Sequence, residues 1–145
     1  MVIEEISEGN LQDLTELMLE LWPECEYDEE YRNCLRIITE SNETCYLLKN
    51  DQNYVAFIQL SLRYDYVEGT ETSPVGYIEG IFVKPEFRKS GLAGQLMMQG
   101  EKWARQKGCR QYASDTEINN QVSISFHKKQ GFTEAGRLVC FVKDL

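Results

Sequence analysis

A short segment near the middle of the 145-residue chain has the residue types that bind an anion. It reads R-x-x-G-x-A-G over residues 88–94 and follows an apolar run, residues 76–83, that predicts a buried strand. Small residues let a ligand approach the backbone, and the start of a helix presents free N–H groups to negative charge. Arg88 and Lys89 add positive charge there. The segment is therefore predicted to bind a pyrophosphate.

Two carboxylates stand where a ligand of opposite charge could meet them. Glu79 lies inside the apolar run, where a carboxylate is costly unless it is paired or faces a cleft. Asp115 follows a predicted strand, at the end of the strand where α/β sheets bind ligands. The two side chains could flank an amine, with Glu79 as the group that removes its proton. An internal ion pair of Glu79 with Arg63 or Arg110 is the alternative.

Charge is distributed unevenly along the chain, whose formal net charge is −9. Residues 1–79 hold 18 acids and 4 bases, residues 84–110 hold 7 bases and 2 acids, and the remainder is balanced at 4 and 4. This pattern lacks the broad basic surface of a nucleic-acid-binding protein. It fits two ligands, an anion near the middle segment and a cation near the acids. A solvated surface without a ligand is the alternative.

Composition favours a single cytoplasmic domain spanning residues 1–145. Hydrophobic residues make up 42% of the chain and charged residues 27%. No apolar run is long enough for a membrane helix, and the acidic N-terminus does not resemble a signal peptide. Five cysteines at irregular spacings predict neither a disulfide framework nor a zinc site, and we expect no metal.

The elements that must position these residues alternate between strands and helices. The order β-α-α-β-β-β-α-β-α-β predicts a mixed α/β (α+β) fold, with antiparallel strands in the middle and at least one parallel pair. Strands are expected over residues 2–6, 44–49, 56–66, 76–83 and 111–114, and the last strand position is supplied by residues 132–133 and 138–143. Helices are expected after Asn10, Asp28, Gly91 and Asn119 or Asn120, with Pro23, Gly108 and Gly131 ending the first, third and fourth.

The segment is neither a Walker A loop nor a Rossmann G-x-G-x-x-G motif. With the preceding strand ending Ile81-Phe82-Val83, the downstream asparagines and the terminal Gly131-Phe132, it resembles the acetyl-CoA-binding motif of the GNAT superfamily of N-acetyltransferases. The resemblance implies acetyl-CoA as co-substrate. It also implies the GNAT fold: one mostly antiparallel sheet with a splayed parallel pair, flanked by helices.

The same resemblance implies roles for individual residues. The strand backbone would bind the pantetheine arm and stabilise the oxyanion, the loop would hold the pyrophosphate, and Asn120 would touch the pantetheine region. The cofactor-binding residues expected are Ile81, Phe82, Val83, Arg88, Lys89, Ser90, Gly91, Ala93, Gly94 and Asn120. Direct transfer in a ternary complex is expected, because a thioester is already activated.

His127 stands where many GNAT enzymes carry a tyrosine proposed to protonate the departing thiolate. The family run F-Y-x-x-x-G-F reads F-H-K-K-Q-G-F over residues 126–132. His127 could donate a proton in its place. Because it is the only histidine, a surface or helix-packing role remains an equal alternative.

Four further segments resemble the aminoglycoside 6'-N-acetyltransferases: residues 21–23, 63–74, 77–83 and 113–116. The resemblance implies a cationic small-molecule substrate acetylated at its 6'-amine, with Glu79 as base, directly or through a water, and Asp115 orienting the amine. Trp22 and Tyr66 could stack on sugar rings or simply pack.

Two other functions stay open from the sequence. One is acetylation of a polyamine, a small amine or a peptide; the other is a non-catalytic acyl-CoA-binding module. Related enzymes are often homodimers, and the apolar residues 138–142 are a candidate for strand pairing or exchange. We expect no nucleic-acid or membrane partner.

Overall fold

The computed structural model describes residues 1–145 and contains one five-stranded sheet in the order β1-β2-β3-β4-β5. Strands β1 to β4 form an antiparallel meander, and β5 lies parallel to β4. The strands are β1 (Val2–Glu5), β2 (Glu43–Asn50), β3 (Asn53–Arg63), β4 (Val75–Val83) and β5 (Tyr112–Ala113). The helices are α1 (Leu11–Leu21), α2 (Tyr27–Thr39), α3 (Leu92–Gln106) and α4 (Gln121–Lys129). The predicted fold class is confirmed.

Helices cover both faces of the sheet because its central strands are apolar on both sides. Along β3, Phe57 points into one core and Ile58 into the other, as the two-residue period of a strand requires. The core containing Phe57 is shared with α1 and α2, whereas the core containing Ile58 is shared with α3. Both side chains are fully buried. The two layers fix the sheet and therefore the position of its open edges.

Strands β4 and β5 pair at only two positions, Gly76 with Tyr112 and Tyr77 with Ala113. On its other side β4 stays paired with β3 as far as Val83. Beyond Tyr77 the edge of β4 that faces β5 therefore has no neighbouring strand. The gap between the two strands opens at this point.

Several boundaries differ from those expected. Strand β3 ends at Arg63 rather than at residue 66, and α2 starts at Tyr27, one residue before Asp28. Asn10 lies at the start of α1, but its side chain bonds to Ser7 and Glu5 instead of to a helix N–H. Gly108 and Gly131 end their helices with φ of +85° and +91°, as predicted.

The last two predicted strands, residues 132–133 and 138–143, are wrong for the single chain. Neither segment is in a strand, and Phe141 is 93% exposed. The residue types suit a strand, but a strand forms only when a neighbouring strand pairs with it. No helix is both long enough and apolar enough to cross a membrane.

Candidate active site

The loop before α3 leaves backbone N–H groups free. Lys89 and Gly91 adopt left-handed backbone conformations, with φ of +61° and +83°, and α3 then begins at Leu92. No side chain caps this helix, so the first N–H groups of the helix, including those of Ala93 and Gly94, have no protein acceptor. A Cβ added to Gly91 would meet no atom within 4 Å. The loop therefore has the open shape and the donors of an anion site.

Arg88 connects this loop to the end of β4. Its Nε donates a hydrogen bond to the Val83 carbonyl at 2.8 Å, and its guanidinium lies 5.7 Å from the centre of the Phe82 ring. The Ser90 hydroxyl donates to the Phe87 carbonyl within the loop. Positive charge is thereby fixed where the open edge of β4 meets the helix start.

Ile81, Phe82 and Val83, the residues expected to bind a pantetheine arm, lie on the part of β4 that has no neighbouring strand on the β5 side. The side chains of Phe82 and Val83 are buried, which holds this part of the strand in place. At Gly80 a Cβ would lie 2.6 Å from the Trp22 ring, so only glycine lets Trp22 pack against the strand. Trp22 therefore packs closely against the middle of β4.

Asn120 is the N-terminal cap of α4. Its Oδ1 accepts a hydrogen bond from the Ser123 N–H at 3.1 Å. The amide nitrogen of Asn120 is left for another partner. Asn120 thus caps α4, as the sequence predicted, and its side-chain N–H groups remain free to donate a hydrogen bond.

Glu79 occupies a β-bulge between β3 and β4. The register passes from Gln59 opposite Gly80 to Leu60 opposite Ile78, so Glu79 has no partner residue. A bulge turns a side chain out of the regular pleat, and bulges are common beside active sites. This accounts for a carboxylate in the middle of an apolar strand. Its side chain is 29% exposed.

The Glu79 carboxylate is held by two side chains of β3. Arg63 Nη2 lies 3.0 Å from Oε1 and 2.9 Å from Oε2, and Nε lies 3.1 Å from Oε1. The Ser61 hydroxyl donates to Oε1 at 2.6 Å. Of the two ion pairs considered from the sequence, the one with Arg63 is formed. Protonation of Glu79 would therefore weaken this pair.

Arg63 also joins Glu79 to Asp115. Its guanidinium carbon lies 3.4 Å from the centre of the Tyr77 ring, and the Tyr77 hydroxyl donates a hydrogen bond to Asp115. Burial and the bond to Asp115 raise the pKa of Tyr77, so the phenol stays protonated. Partial burial alone would lower the pKa of Arg63, but the bond to Glu79 leaves it raised. The two predicted catalytic carboxylates belong to one connected network.

A cleft with a volume of about 430 Å³ lies in front of Glu79. Trp22, which the sequence analysis proposed as a substrate-binding residue, is one of its walls. Tyr66 is 77% exposed and does not line this cleft. Six other residues line the cleft and were not predicted from the sequence: Cys25, Glu30, Asn33, Arg36, Glu43 and Gln59.

Two of the lining residues that were missed are acids, Glu30 on α2 and Glu43 on β2. Arg36 is committed to Glu43, with Nη2 3.3 Å from Oε1, and its Nη2 also donates to Asn33 at 3.0 Å. The excess of acids in the first half of the chain was the only sequence signal for them. Together with Glu79 they give the cleft an acidic lining that suits a cation.

His127 faces Ser114 from α4. Its Nε2 lies 2.8 Å from the Ser114 Oγ, and its Nδ1 lies 2.7 Å from the Ser123 carbonyl oxygen. The rings of Phe126 and Phe132 meet it edge-on, at 5.9 and 5.4 Å between centroids. His127 is therefore held by polar and aromatic contacts. No cluster of side chains able to hold a metal ion is present in the chain.

Comparison with known families identifies a match over most of the chain. Residues 8–132 match the model of the acetyltransferase (GNAT) family. An aminoglycoside N(6')-acetyltransferase type 1 from Acinetobacter baumannii is 42% identical over 100% of this chain and 99% of its own. The enzyme of the same name from Serratia marcescens is 37% identical over 94% of each chain.

Solved structures agree with these sequence relatives. AAC(6')-Iy in complex with the bisubstrate analogue CoA-S-monomethyl-acetylneamine gives a TM-score of 0.96 at 33% identity, over 99% of this chain and 98% of that one. AAC(6')-Ih from Acinetobacter baumannii gives 0.92 at 42% identity, over 99% and 98%.

Proposed function

Because the chain belongs to the GNAT acetyltransferase family, we propose that it transfers the acetyl group of acetyl-CoA to the 6'-amino group of an aminoglycoside antibiotic. The observation that carries this proposal is the position of Glu79, between the acidic cleft and the open edge of β4. An amine in the cleft and a thioester along that edge would meet beside this carboxylate.

The proposed acetyl-CoA site runs along β4 and into α3. Beside Ile81, Phe82 and Val83 the edge of β4 has no neighbouring strand, so a pantetheine arm could lie along it, and the loop from residues 88 to 94 supplies free N–H donors. Arg88 and Lys89 add the positive charge that a pyrophosphate needs. Asn120 contributes its free amide nitrogen. Acetyl-CoA itself supplies an activated acyl group, so no enzyme nucleophile is required.

The substrate amine arrives as an ammonium ion, which attracts carboxylates but cannot attack a carbonyl carbon. Glu79 accepts the proton, directly or through a water, and Asp115 orients the amine. The nitrogen–carbon bond then forms as the carbon–sulfur bond breaks. Strand N–H groups near Ile81 to Val83 stabilise the oxyanion. Because Arg63 holds both oxygens of Glu79, the arriving ammonium shares this carboxylate with the guanidinium.

The cleft suits a ligand with several ammonium groups. Glu30 lines the cleft without an ion-pair partner, whereas Glu43 is paired with Arg36, so Glu30 and Glu79 are the carboxylates that would bind separate ammonium groups. Trp22 offers an apolar ring face or edge to a sugar. Polyamines share the charge of an aminoglycoside but lack its rings and its hydroxyl groups. This difference favours the aminoglycoside over the polyamine.

We also propose that the enzyme is a homodimer formed through its C-terminal segment. The apolar residues 138–142 are exposed in the single chain. A cavity of about 290 Å³ lies beside β5 and includes Tyr112 and Phe132 in its lining. A strand from a second copy could pair there and cover both surfaces. Light scattering should then give twice the 16.9 kDa chain mass, and Cys140→Pro should reduce it to the monomer mass. A wild-type monomer would refute this arrangement.

A panel of amines tests the enzymatic assignment. Release of free thiol from acetyl-CoA should be rapid with kanamycin and at least a hundredfold slower with an analogue whose 6'-amine is replaced by a hydroxyl. Spermidine and a protein N-terminal peptide serve as the competing substrates. Equal rates on both aminoglycosides would refute the regiochemistry. Cofactor binding without turnover of any amine would favour a non-catalytic module.

A further inference from the structure

Ser114 lies where the gap between β4 and β5 opens. It follows Ala113, the last residue of β5 and the last to pair with β4. Its side chain is half-buried, and its hydroxyl oxygen is 2.8 Å from His127 Nε2. The sequence placed Ser114 in one of the segments that resemble the aminoglycoside 6'-N-acetyltransferases, residues 113–116, but gave it no role. Its position at the start of the gap places a hydroxyl group beside the proposed reacting atoms.

The contacts of His127 fix where its proton can go. The Ser123 carbonyl oxygen, 2.7 Å from Nδ1, can only accept a hydrogen bond, so Nδ1 carries a hydrogen. The other nitrogen, Nε2, then has Ser114 as its partner. Any proton exchanged by His127 through this hydrogen-bond chain therefore passes through the Ser114 hydroxyl.

The other hydroxyl groups of the site are already committed. Tyr77 donates to Asp115, and burial raises its pKa. Ser61 donates to Glu79. His127 itself lies behind Ser114, because its Nε2 points at the serine oxygen. Of these hydroxyl groups, only that of Ser114 contacts a residue, His127, that can supply it with a second proton.

Resting on the proposed function, we propose that Ser114 protonates the departing coenzyme A thiolate and that His127 is the positioning residue that replaces this proton. As the carbon–sulfur bond breaks, its electron pair moves to sulfur. The Ser114 proton forms the S–H bond, and a proton on His127 Nε2 moves to the serine oxygen. After coenzyme A leaves, His127 regains this proton from solvent through the Ser114 hydroxyl. No atom is oxidised or reduced.

Binding of coenzyme A and of desulfo-coenzyme A, which lacks the sulfur atom, tests this role without turnover. We expect calorimetry at pH 9.5, where the thiol is ionised, to show that wild-type protein binds coenzyme A about tenfold more tightly, the effect of one hydrogen bond to a charged group. Ser114→Ala should remove this difference and leave the affinity for desulfo-coenzyme A unchanged. Ser114→Thr, which keeps the hydroxyl, should restore it.

Single-turnover acetyl transfer provides the second measurement. Ser114→Ala should slow transfer about a hundredfold, the usual contribution of a general acid, and His127→Phe should slow it similarly. Ser125→Ala is the control, since Ser125 is an exposed serine on α4, the helix that carries His127. A Ser114→Ala protein that keeps its preference for coenzyme A, or loses affinity for both ligands equally, would overturn the proposal. Failure of wild-type protein to bind either ligand would instead refute the acetyl-CoA site as well.

Discussion

Arg63 donates hydrogen bonds to both carboxylate oxygens of Glu79, and its guanidinium carbon lies 3.4 Å from the centre of the Tyr77 ring. A positive group therefore already occupies the space beside the proposed catalytic carboxylate. The pair holds Glu79 in one orientation, and the Arg63 side chain is 42% exposed. The proposed amine site is therefore already shaped around the Arg63 guanidinium before a substrate binds.

Replacement of Glu79 should separate catalysis from cofactor binding. Glu79→Gln keeps the shape of the side chain but removes the charge that attracts the ammonium and accepts its proton. We expect kcat to fall at least a hundredfold, with affinity for coenzyme A within twofold of wild type. Steady-state kinetics and calorimetry measure the two quantities. Glu16→Gln, on the exposed face of α1, is the control. Wild-type turnover by Glu79→Gln from pH 6 to 9 would show that another group is the base.

Two glycines allow a matched test of the pyrophosphate site. Gly91 and Gly108 have φ of +83° and +85°, and a Cβ at either meets no atom within 4 Å. Glutamate at either position costs a similar backbone strain, about 1 kcal/mol. We expect Gly91→Glu to lower coenzyme A affinity at least a hundredfold and Gly108→Glu to leave it unchanged, as measured by calorimetry. Equal affinities of the two variants would place the diphosphate elsewhere.

Two substitutions separate the two proposed roles of Asn120, helix cap and hydrogen-bond donor to coenzyme A. Asn120→Ala removes the cap of α4 and should lower the free energy of unfolding by about 1 kcal/mol. Asn120→Asp keeps the acceptor for the Ser123 N–H but loses the amide donor. We expect this variant to keep the wild-type Tm and to bind coenzyme A several-fold more weakly. If Asn120→Asp binds coenzyme A as tightly as wild type, the residue is a cap alone.

We predict that the contribution of Tyr54 to the stability of the fold is lost at alkaline pH. Its hydroxyl donates to Glu4, and this bond, with partial burial, raises the pKa of Tyr54 from 10.0 to about 12. A raised folded-state pKa stabilises the fold fully below pH 10, and the contribution disappears as the pH rises towards 12. Tyr54→Phe should therefore have a lower Tm than wild type at pH 8, and the difference should shrink by pH 11.5. A difference that does not change with pH would contradict this origin.

Much of the proposed cofactor site could be predicted because its signals are local. Gly91 and Ala93 mark a loop and a helix start by their size, and the apolar residues 76–83 mark the strand before them. Gly108 and Gly131 end their helices for the same local reason, a backbone conformation that glycine adopts without strain. Neighbouring residues carry this information, so a single sequence suffices.

The substrate cleft could be predicted only in part because its geometry depends on pairing between distant segments. The bulge that exposes Glu79 is a shift in register between β3 and β4, which an apolar run does not reveal. Glu43 and Arg36 reach the cleft from β2 and α2, and no spacing in the sequence connects them to Glu79. The prediction of the C-terminal strands was wrong for a related reason. A strand forms only beside another strand, and these residues have no neighbouring strand in the single chain.

The position of the transferred acetyl group tests the central claim most directly. Kanamycin should be incubated with acetyl-CoA and the enzyme, and the product analysed by mass spectrometry and two-dimensional NMR. We expect a single added acetyl group, with the amide carbonyl correlated to the protons on carbon 6'. An acetyl group on any other amine, or unmodified kanamycin under conditions where coenzyme A binds, would contradict the proposed function.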